Sequence, residues 1–124
     1  MNRSSPGRTI VLIVEDEPMI RMDVAEYVNE TGFSALEAAT GDEALAILSD
    51  RADIDVVFTD VNMPGKIDGM ELAQIISDRW PHIGVIVTSG KVRPRSGDLS
   101  PRSLFFSKPY DLEHVVNTMR RLAA

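Results

Sequence analysis

The sequence contains no cysteine, and this absence excludes two classes of site. Without thiols the chain cannot form disulfides or bind zinc through thiolates. Its two histidines, His82 and His114, lie far apart in the sequence, so a histidine-based zinc centre is not expected either. The longest aliphatic run, Ile10–Val14, is far shorter than the roughly 20 apolar residues that a membrane span needs. We therefore expect a cytoplasmic protein with no membrane partner.

Basic residues are outnumbered, with 13 Lys and Arg against 19 Asp and Glu, for a net charge of −6. Residues 1–90 hold 16 acids and 6 bases, whereas residues 91–124 hold 3 acids and 7 bases. Because an acidic surface repels nucleic acid, we expect no nucleic-acid partner. A length of 124 residues suits one domain, which we place at 9–124 after a flexible tail over 1–8.

Apolar runs alternate with helical patterns along the chain. β-Branched and apolar runs are typical of buried strands, and they lie at residues 9–14, 33–38, 54–59, 85–88 and 104–107. Amphipathic patterns predict four helices, which begin at Pro18 and after the capping residues Thr40, Asp68 and Asp111. Strands that alternate with helices predict an α/β fold with parallel strands.

The connection between the fourth and fifth predicted strands is unusual for such a fold. Pro94, Gly97 and Pro101 interrupt residues 90–101 and each disfavours a helix. We expect the helix that would join these two strands, the fourth helix of a complete alternation, to be short or replaced by a loop.

Polar side chains follow the predicted strands at their carboxyl ends. Glu15 and Asp16 follow the first strand, and Asp60 follows the third. Thr88 ends the fourth strand, and Lys108 follows the fifth. Because sites in open α/β sheets form beyond the carboxyl ends of the strands, we expect these side chains to converge on one cleft.

Such a cleft would hold three carboxylates and one ammonium group. Two carboxylates about 4 Å apart repel each other by roughly 4 kcal/mol at an effective dielectric near 20, so one lysine does not balance three of them. A divalent cation together with the lysine would balance the three carboxylates. A set of oxygen ligands with positions left for water favours Mg²⁺ over Ca²⁺. An aspartate beside Mg²⁺, with a lysine and a hydroxyl, is suited to accept a phosphoryl group.

These residues occur in the order and spacing of a known family. The matching segments are Glu15-Asp16, Asp60-Val-Asn-Met-Pro-Gly65, Asp68-Gly69, Thr88 and Lys108-Pro109. Over residues 9–122 the chain resembles a response-regulator receiver domain of two-component signalling, of the stand-alone single-domain type. The resemblance implies a flavodoxin-like three-layer sandwich with a five-stranded parallel sheet in the order 2-1-3-4-5.

The resemblance also implies roles for single residues. Asp60 is expected to be the phosphoacceptor. Glu15 and Asp16 are expected to organise Mg²⁺ together with Asp60, and the backbone carbonyl of Asn62 is expected to complete the protein ligands.

Three further expectations concern the residues around the phosphoryl group. By resemblance, Thr88 and Lys108 contact this group, and Thr88 acts with Phe105, at the switch-aromatic position, to transmit the change. The peptide bond between Lys108 and Pro109 is expected to be cis, which X–Pro bonds tolerate.

Three departures from the common family pattern affect these expectations, and one is the short, helix-poor connection from Ser89 to Phe105, which affects the usual output face. The segment after Gly65 holds Lys66 and Ile67 before Asp68, one residue more than usual, so this loop is expected to sit differently. Ser89 follows Thr88 where a smaller residue is frequent, which is expected to slow access of the phosphoryl group.

The resulting hypothesis is a signalling switch that assists its own phosphotransfer and dephosphorylation, not an enzyme with a separate substrate. The phosphoryl donor would be a sensor histidine kinase or a histidine phosphotransfer protein. The output would be a contact with an unknown downstream protein, made by a monomer or weak dimer. The sequence leaves open whether the chain is a whole protein or a domain of a hybrid kinase.

Two alternatives remain at this point. A pseudo-receiver scaffold would use the same fold without phosphorylation. A small phosphatase with an aspartate nucleophile is disfavoured, because Asn62 stands where such an enzyme needs an acid or base. A flavin-binding protein is excluded, since no phosphate-binding loop rich in Ser, Thr or Gly follows the first strand.

Overall fold

A computed structural model describes residues 8–90 and 101–124 of the chain. In these two segments, strands and helices alternate as the sequence predicts. The strands are β1 (Ile10–Val14), β2 (Ser34–Ala38), β3 (Val56–Asp60), β4 (Gly84–Ser89) and β5 (Ser103–Ser107). The helices are α1 (Pro18–Glu30), α2 (Gly41–Asp50), α3 (Gly69–Arg79) and α4 (Leu112–Ala123).

All five strands pair in parallel, in the order β2-β1-β3-β4-β5. This order confirms the flavodoxin-like sheet. From β1 the chain passes first to β2 on one side and then to β3 on the other, so a crevice opens between the carboxyl ends of β1 and β3. Two predictions fall outside the described residues: the tail, apart from Arg8, and the short helix or loop between β4 and β5, at residues 91–100.

The sheet lies between two layers of helices, and each face has its own apolar core. One core packs α2 and α3 on the sheet, and its largest fully buried side chains are Leu12, Leu48, Ile54, Leu72 and Ile76. The other core lies between the sheet and α1 and α4, around Ile13, Val28, Ile86 and Met119. Because β1, β3 and β4 are buried on both faces, their sequences are continuous apolar runs instead of alternating patterns. No helix of the described segments is both long and apolar enough to cross a membrane.

Side-chain caps set the beginnings of three helices, as the sequence predicts. The Thr40 hydroxyl accepts a hydrogen bond from the backbone N–H of Glu43 at 3.1 Å, before α2. Asp68 and Glu71 each accept from the other's backbone N–H at the start of α3, at 2.9 and 3.1 Å. The Asp111 carboxylate accepts from the backbone N–H of Glu113 at 3.0 Å at the start of α4. These caps satisfy donors that the first turn of a helix leaves without partners.

The first turn of α1 departs from the predicted pattern. Helical spacing predicts that Ile20 faces the core together with Val24 and Val28, but Ile20 is 43% exposed while the other two are buried. Ile20 lies where α1 begins, at the carboxyl edge of the sheet, and the core beneath the helix does not extend that far.

Candidate functional site

Three carboxylates lie together at the carboxyl edge of the sheet. One oxygen each from Glu15, Asp16 and Asp60 lies within 4.8 Å of the other two. Glu15 and Asp16 directly follow β1, Asp60 ends β3, and the two strands are neighbours in the sheet. The structure thus brings together the three acidic residues that the sequence places in one cleft.

Lys108 forms an ion pair with Asp60. Its Nζ lies 3.2 Å from Asp60 Oδ1, and Asp60 is only 7% exposed. The ammonium group is close but is not aligned as a hydrogen-bond donor, and Oδ1 is buried without a hydrogen bond from any described residue. A buried carboxylate oxygen in this state is costly, so a cation or a donor beside it is strongly favoured.

The end of β5 places Lys108 near Asp60. The backbone N–H of Lys108 donates to the carbonyl of Ser89 at 3.0 Å, which continues the β4–β5 pairing to the edge of the sheet. The next peptide bond, between Lys108 and Pro109, is cis, as expected. Ser89 itself is buried beside Thr88, and its expected effect on phosphoryl access stays a prediction.

Glu15 is held by its backbone as well as its side chain. Its N–H donates to the carbonyl of Ala38 at 3.0 Å, and its carboxylate accepts from the N–H of Glu17 at 3.1 Å. Burial raises the pKa of Glu15 above its ordinary value, the hydrogen bond from Glu17 opposes that rise, and the negative charge of Asp60 adds to it. The ionised form of this side chain is therefore poorly compensated in the metal-free domain.

Two residues beside the acidic cluster are not predicted from the sequence. Arg21 in α1 donates to the carbonyl of Glu15 at 2.9 Å and to the carboxylate of Glu37 at 3.1 Å, so it fixes the chain after β1. Tyr110 packs edge-on against Phe58 with ring centroids 5.6 Å apart. An arginine in the first turns of a helix and an aromatic residue after a strand are both common, so neither carries a signal in sequence.

Burial raises the pKa of the Tyr110 phenol, and the negative charges of Glu15 and Asp60 raise it further. The phenol therefore belongs to the electrostatic surroundings of the acidic cluster. It adds no positive charge there, so Lys108 is the cation that the described residues bring to Asp60.

The remaining predicted site residues lie at different distances from Asp60 in the sheet. Thr88 is buried and stands beside Asp60 in the register of β3 and β4. Phe105 lies on β5, beside Val87, and is half-buried against the core under α2 and α3. Asn62 follows Asp60 by two residues in the loop to α3, with an exposed side chain.

The loop from β3 to α3 returns tightly to the strand that it leaves. The N–H of Gly69 donates to the carbonyl of Val61 at 2.9 Å. A Cβ at position 69 would lie 2.1 Å from the carbonyl oxygen of Asp60, so only glycine fits there. Gly65, with φ of +101°, makes the turn within the loop. Lys66 and Ile67 thus lie between two fixed ends, and the expectation that this loop sits differently stays a prediction.

The residues of this cleft fit a divalent cation. Three carboxylates face one ammonium group, all ligands are hard oxygens, and one buried oxygen of Asp60 lacks a hydrogen bond from the described residues. Asp16 is partly exposed, which leaves the cleft open to water and to an incoming group. Oxygen ligands with open positions suit Mg²⁺ beside a phosphate.

Comparison with known proteins identifies the family. The family model of the response regulator receiver domain matches residues 11–120. The chain belongs to this family. The receiver domain is 32% identical to the sensor kinase CckA of Brucella abortus over 120 aligned residues, and these cover 94% of the chain. It is also 32% identical over 116 residues, 91% of the chain, to the transcriptional regulatory protein TcrA of Mycobacterium tuberculosis. The chain spans 13% and 45% of the lengths of these relatives.

Solved structures of receiver domains superimpose on this one. The receiver domain of the hybrid histidine kinase CckA aligns with a TM-score of 0.78 at 30% identity, over 93% of this chain and 99% of that one. The response regulator TrrA of Thermotoga maritima, in complex with Mg²⁺ and BeF, aligns with a TM-score of 0.79 at 26% identity, over 92% and 98%. The receiver domain is thus a phosphoacceptor module of two-component signalling, a class that interacts with histidine kinases and downstream effectors.

Proposed function

We propose that Asp60 accepts the phosphoryl group in this receiver domain. The observation that supports this assignment is its position at the end of β3, between the acidic pair and Lys108. Its buried Oδ1 is paired with the Lys108 ammonium and accepts no hydrogen bond from the described residues, so it has lone pairs left for a cation or an incoming group. Glu15, Asp16, Asp60 and the backbone carbonyl of Asn62 would bind Mg²⁺, which would neutralise negative charge on the transferring group.

The reaction transfers the phosphoryl group from a phosphohistidine to Asp60. A carboxylate oxygen of Asp60 attacks phosphorus, an O–P bond forms, and the P–N bond breaks as its electron pair returns to the imidazole. Water later attacks the acyl phosphate, which restores the carboxylate and releases inorganic phosphate. The donor is a sensor histidine kinase or a histidine phosphotransfer protein, and a downstream protein reads the product.

Lys108 and Thr88 act on the phosphoryl oxygens. The Lys108 ammonium, now paired with Asp60, gains a second anionic partner when Asp60 is modified. The Thr88 hydroxyl lies on the neighbouring strand and can donate to the same group. Phe105, on the strand beyond Thr88, would carry the resulting movement to the surface of the domain.

The test is phosphorylation by acetyl phosphate and Mg²⁺, read as intact mass. Wild type is expected to gain one phosphoryl group, and Asp60→Asn none. Asp23→Asn, the same chemical change at an exposed position of α1, is the matched control and is expected to behave as wild type. A modified Asp60→Asn protein would refute the assignment.

Phosphorylation and hydrolysis assays on the wild type separate the two alternative functions. A wild type that stays unmodified by acetyl phosphate and by a phosphorylated histidine phosphotransfer protein would favour the scaffold. Sustained hydrolysis of a small phosphate ester would favour the phosphatase.

A further inference from the structure

The loop between β3 and α3 contacts the beginning of α2 at one very close point. Gly41, the first residue of α2, is buried under Ile67 of the loop. A Cβ at position 41 would lie 2.8 Å from the backbone oxygen of Ile67, 2.9 Å from its Cβ and 3.0 Å from its Cγ2. Cβ atoms in proteins essentially never approach other atoms below 3.0 Å, so a larger residue at 41 must displace the loop.

Space, and not backbone conformation, explains why glycine stands at this position. Gly32 and Gly65 are the described glycines with positive φ, and Gly41 is not among them. Its backbone is that of an ordinary helix start, which alanine also adopts. Because alanine is the better helix former, the helix alone would favour alanine over glycine here. The close contact with Ile67 is what disfavours alanine at position 41.

The contact fixes the part of the loop that its two ends do not. One end is closed by the bond from Gly69 to Val61 and by the cap of α3. The side chains of Met63 and Ile67 pack against the core under α2 and α3, whereas residues 64–66 between them are exposed. Ile67 on Gly41 is therefore a close contact between this loop and a helix other than its own.

We infer that Gly41 and Ile67 are positioning residues for the phosphorylation site. The inference rests on the proposed function, in which the backbone carbonyl of Asn62 is a metal ligand. Asn62 lies between the fixed end of β3 and the contact at Ile67, so a displaced or loosened loop would misplace its carbonyl. A ligand on a preorganised loop binds more tightly than one that must be ordered on binding.

The experiment measures Mg²⁺ affinity by calorimetry, and thermal unfolding of the metal-free protein, in Gly41→Ala and Ile67→Ala. Both variants are expected to bind Mg²⁺ roughly tenfold more weakly, as is typical when residues that orient metal ligands are changed. Of the three Ile67 atoms nearest to position 41, Ile67→Ala removes Cγ2, whereas Ile67→Val keeps it and is expected to retain wild-type affinity.

Two controls separate positioning from general stability. Ile47→Ala removes a side chain that packs against the same core from α2, so it is expected to lower the thermal midpoint without changing Mg²⁺ affinity. Ser49→Ala improves helix propensity at an exposed position of α2 and is expected to leave affinity unchanged. If Gly41→Ala does not fold, Ile67→Ala, which introduces no clash, provides the test.

Wild-type affinity in a folded Ile67→Ala protein would overturn the inference, as would equal losses in Ile67→Ala and Ile47→Ala. Failure of the proposed function gives a different result: Asp60→Asn is then phosphorylated, or wild type itself binds no Mg²⁺.

Discussion

Glu15 places a negative charge where the metal-free domain compensates it poorly. Burial and the neighbouring carboxylates raise its pKa, so folding favours the protonated form. A group whose pKa is raised by folding contributes stability below its unfolded pKa, about 4.5, and loses that contribution as the pH rises through its folded value. At neutral pH the ionised Glu15 therefore opposes folding until a cation binds.

Glu15→Gln is expected to stabilise the metal-free domain at pH 7 and to weaken Mg²⁺ binding. The substitution removes the charge and keeps the shape. In a domain of this size each 1 kcal/mol of added stability raises the thermal midpoint by about 4 °C. Glu17→Gln, an exposed neighbour, is the control for a general effect of net charge. A thermal midpoint that falls in Glu15→Gln alone would contradict the prediction.

Tyr110 reports the same charges by its own titration. Its pKa is raised by burial and by Glu15 and Asp60, so the stability it contributes is complete below pH about 10 and is lost as the pH rises through its folded value. With Tyr27→Phe as background, Tyr110 is the only tyrosine, and its phenolate absorbance can be followed directly. Adding Glu15→Gln is expected to lower the pH at which half of the Tyr110 phenol is ionised, because one of the negative charges that raise its pKa is removed. A Tyr110 midpoint that does not fall would contradict the prediction.

At the scale of elements, local signals in the sequence are sufficient for strands and helix starts. The apolar run of β1 and the caps Thr40, Asp68 and Asp111 all have their predicted structures, because each depends on residues close in sequence. The fifth strand is equally predictable from its apolar and aromatic run.

Contacts between distant elements are not predictable in this way. Arg21 on the carbonyl of Glu15 and Ile67 on Gly41 join residues whose types allow many other partners. The prediction for Ile20 is wrong for a related reason, since helical spacing indicates a face but not where the core beneath it ends. The acidic site is predictable because parallel strands bring their carboxyl ends to one edge.

The cap of α3 supports both the helix and the loop before it. Asp68→Ala is expected to lower the free energy of unfolding by about 1 kcal/mol, within the roughly 0.5–2 found for lost caps. Asp68 and Glu71 each accept a hydrogen bond from the other's backbone N–H. The double variant Asp68→Ala with Glu71→Ala is therefore expected to lose less free energy of unfolding than the sum of the two single losses. Chemical denaturation of the single and double variants measures this coupling. Asp23→Ala, an exposed change in α1, is the control.

At the scale of the whole molecule, one sheet serves two separate cores. Ile76 lies in the core under α2 and α3, Ile86 lies in the core under α1 and α4, and both are fully buried. Ile76→Val and Ile86→Val are each expected to lower the free energy of unfolding by roughly 0.5–1.5 kcal/mol. Since the sites share no cluster, the double variant is expected to lose the sum within about 0.5 kcal/mol.

The two cores are nonetheless expected to unfold together, because β1, β3 and β4 contribute side chains to both. Fluorescence of Trp80, which packs on one core, and far-ultraviolet dichroism of the whole chain should then give one coincident transition in each variant. Separate transitions would indicate that the layers are independent.

Gly69 shows how the fold limits change at a position that performs no chemistry. A single carbon added there would lie 2.1 Å from the Asp60 carbonyl oxygen, far inside van der Waals contact, so every other side chain is excluded by volume alone. In a saturation library selected for signalling, this codon would be as intolerant as that of Asp60. The two would differ in abundance: Asp60 variants would accumulate as folded, silent protein, and Gly69 variants would be depleted from the cell by degradation.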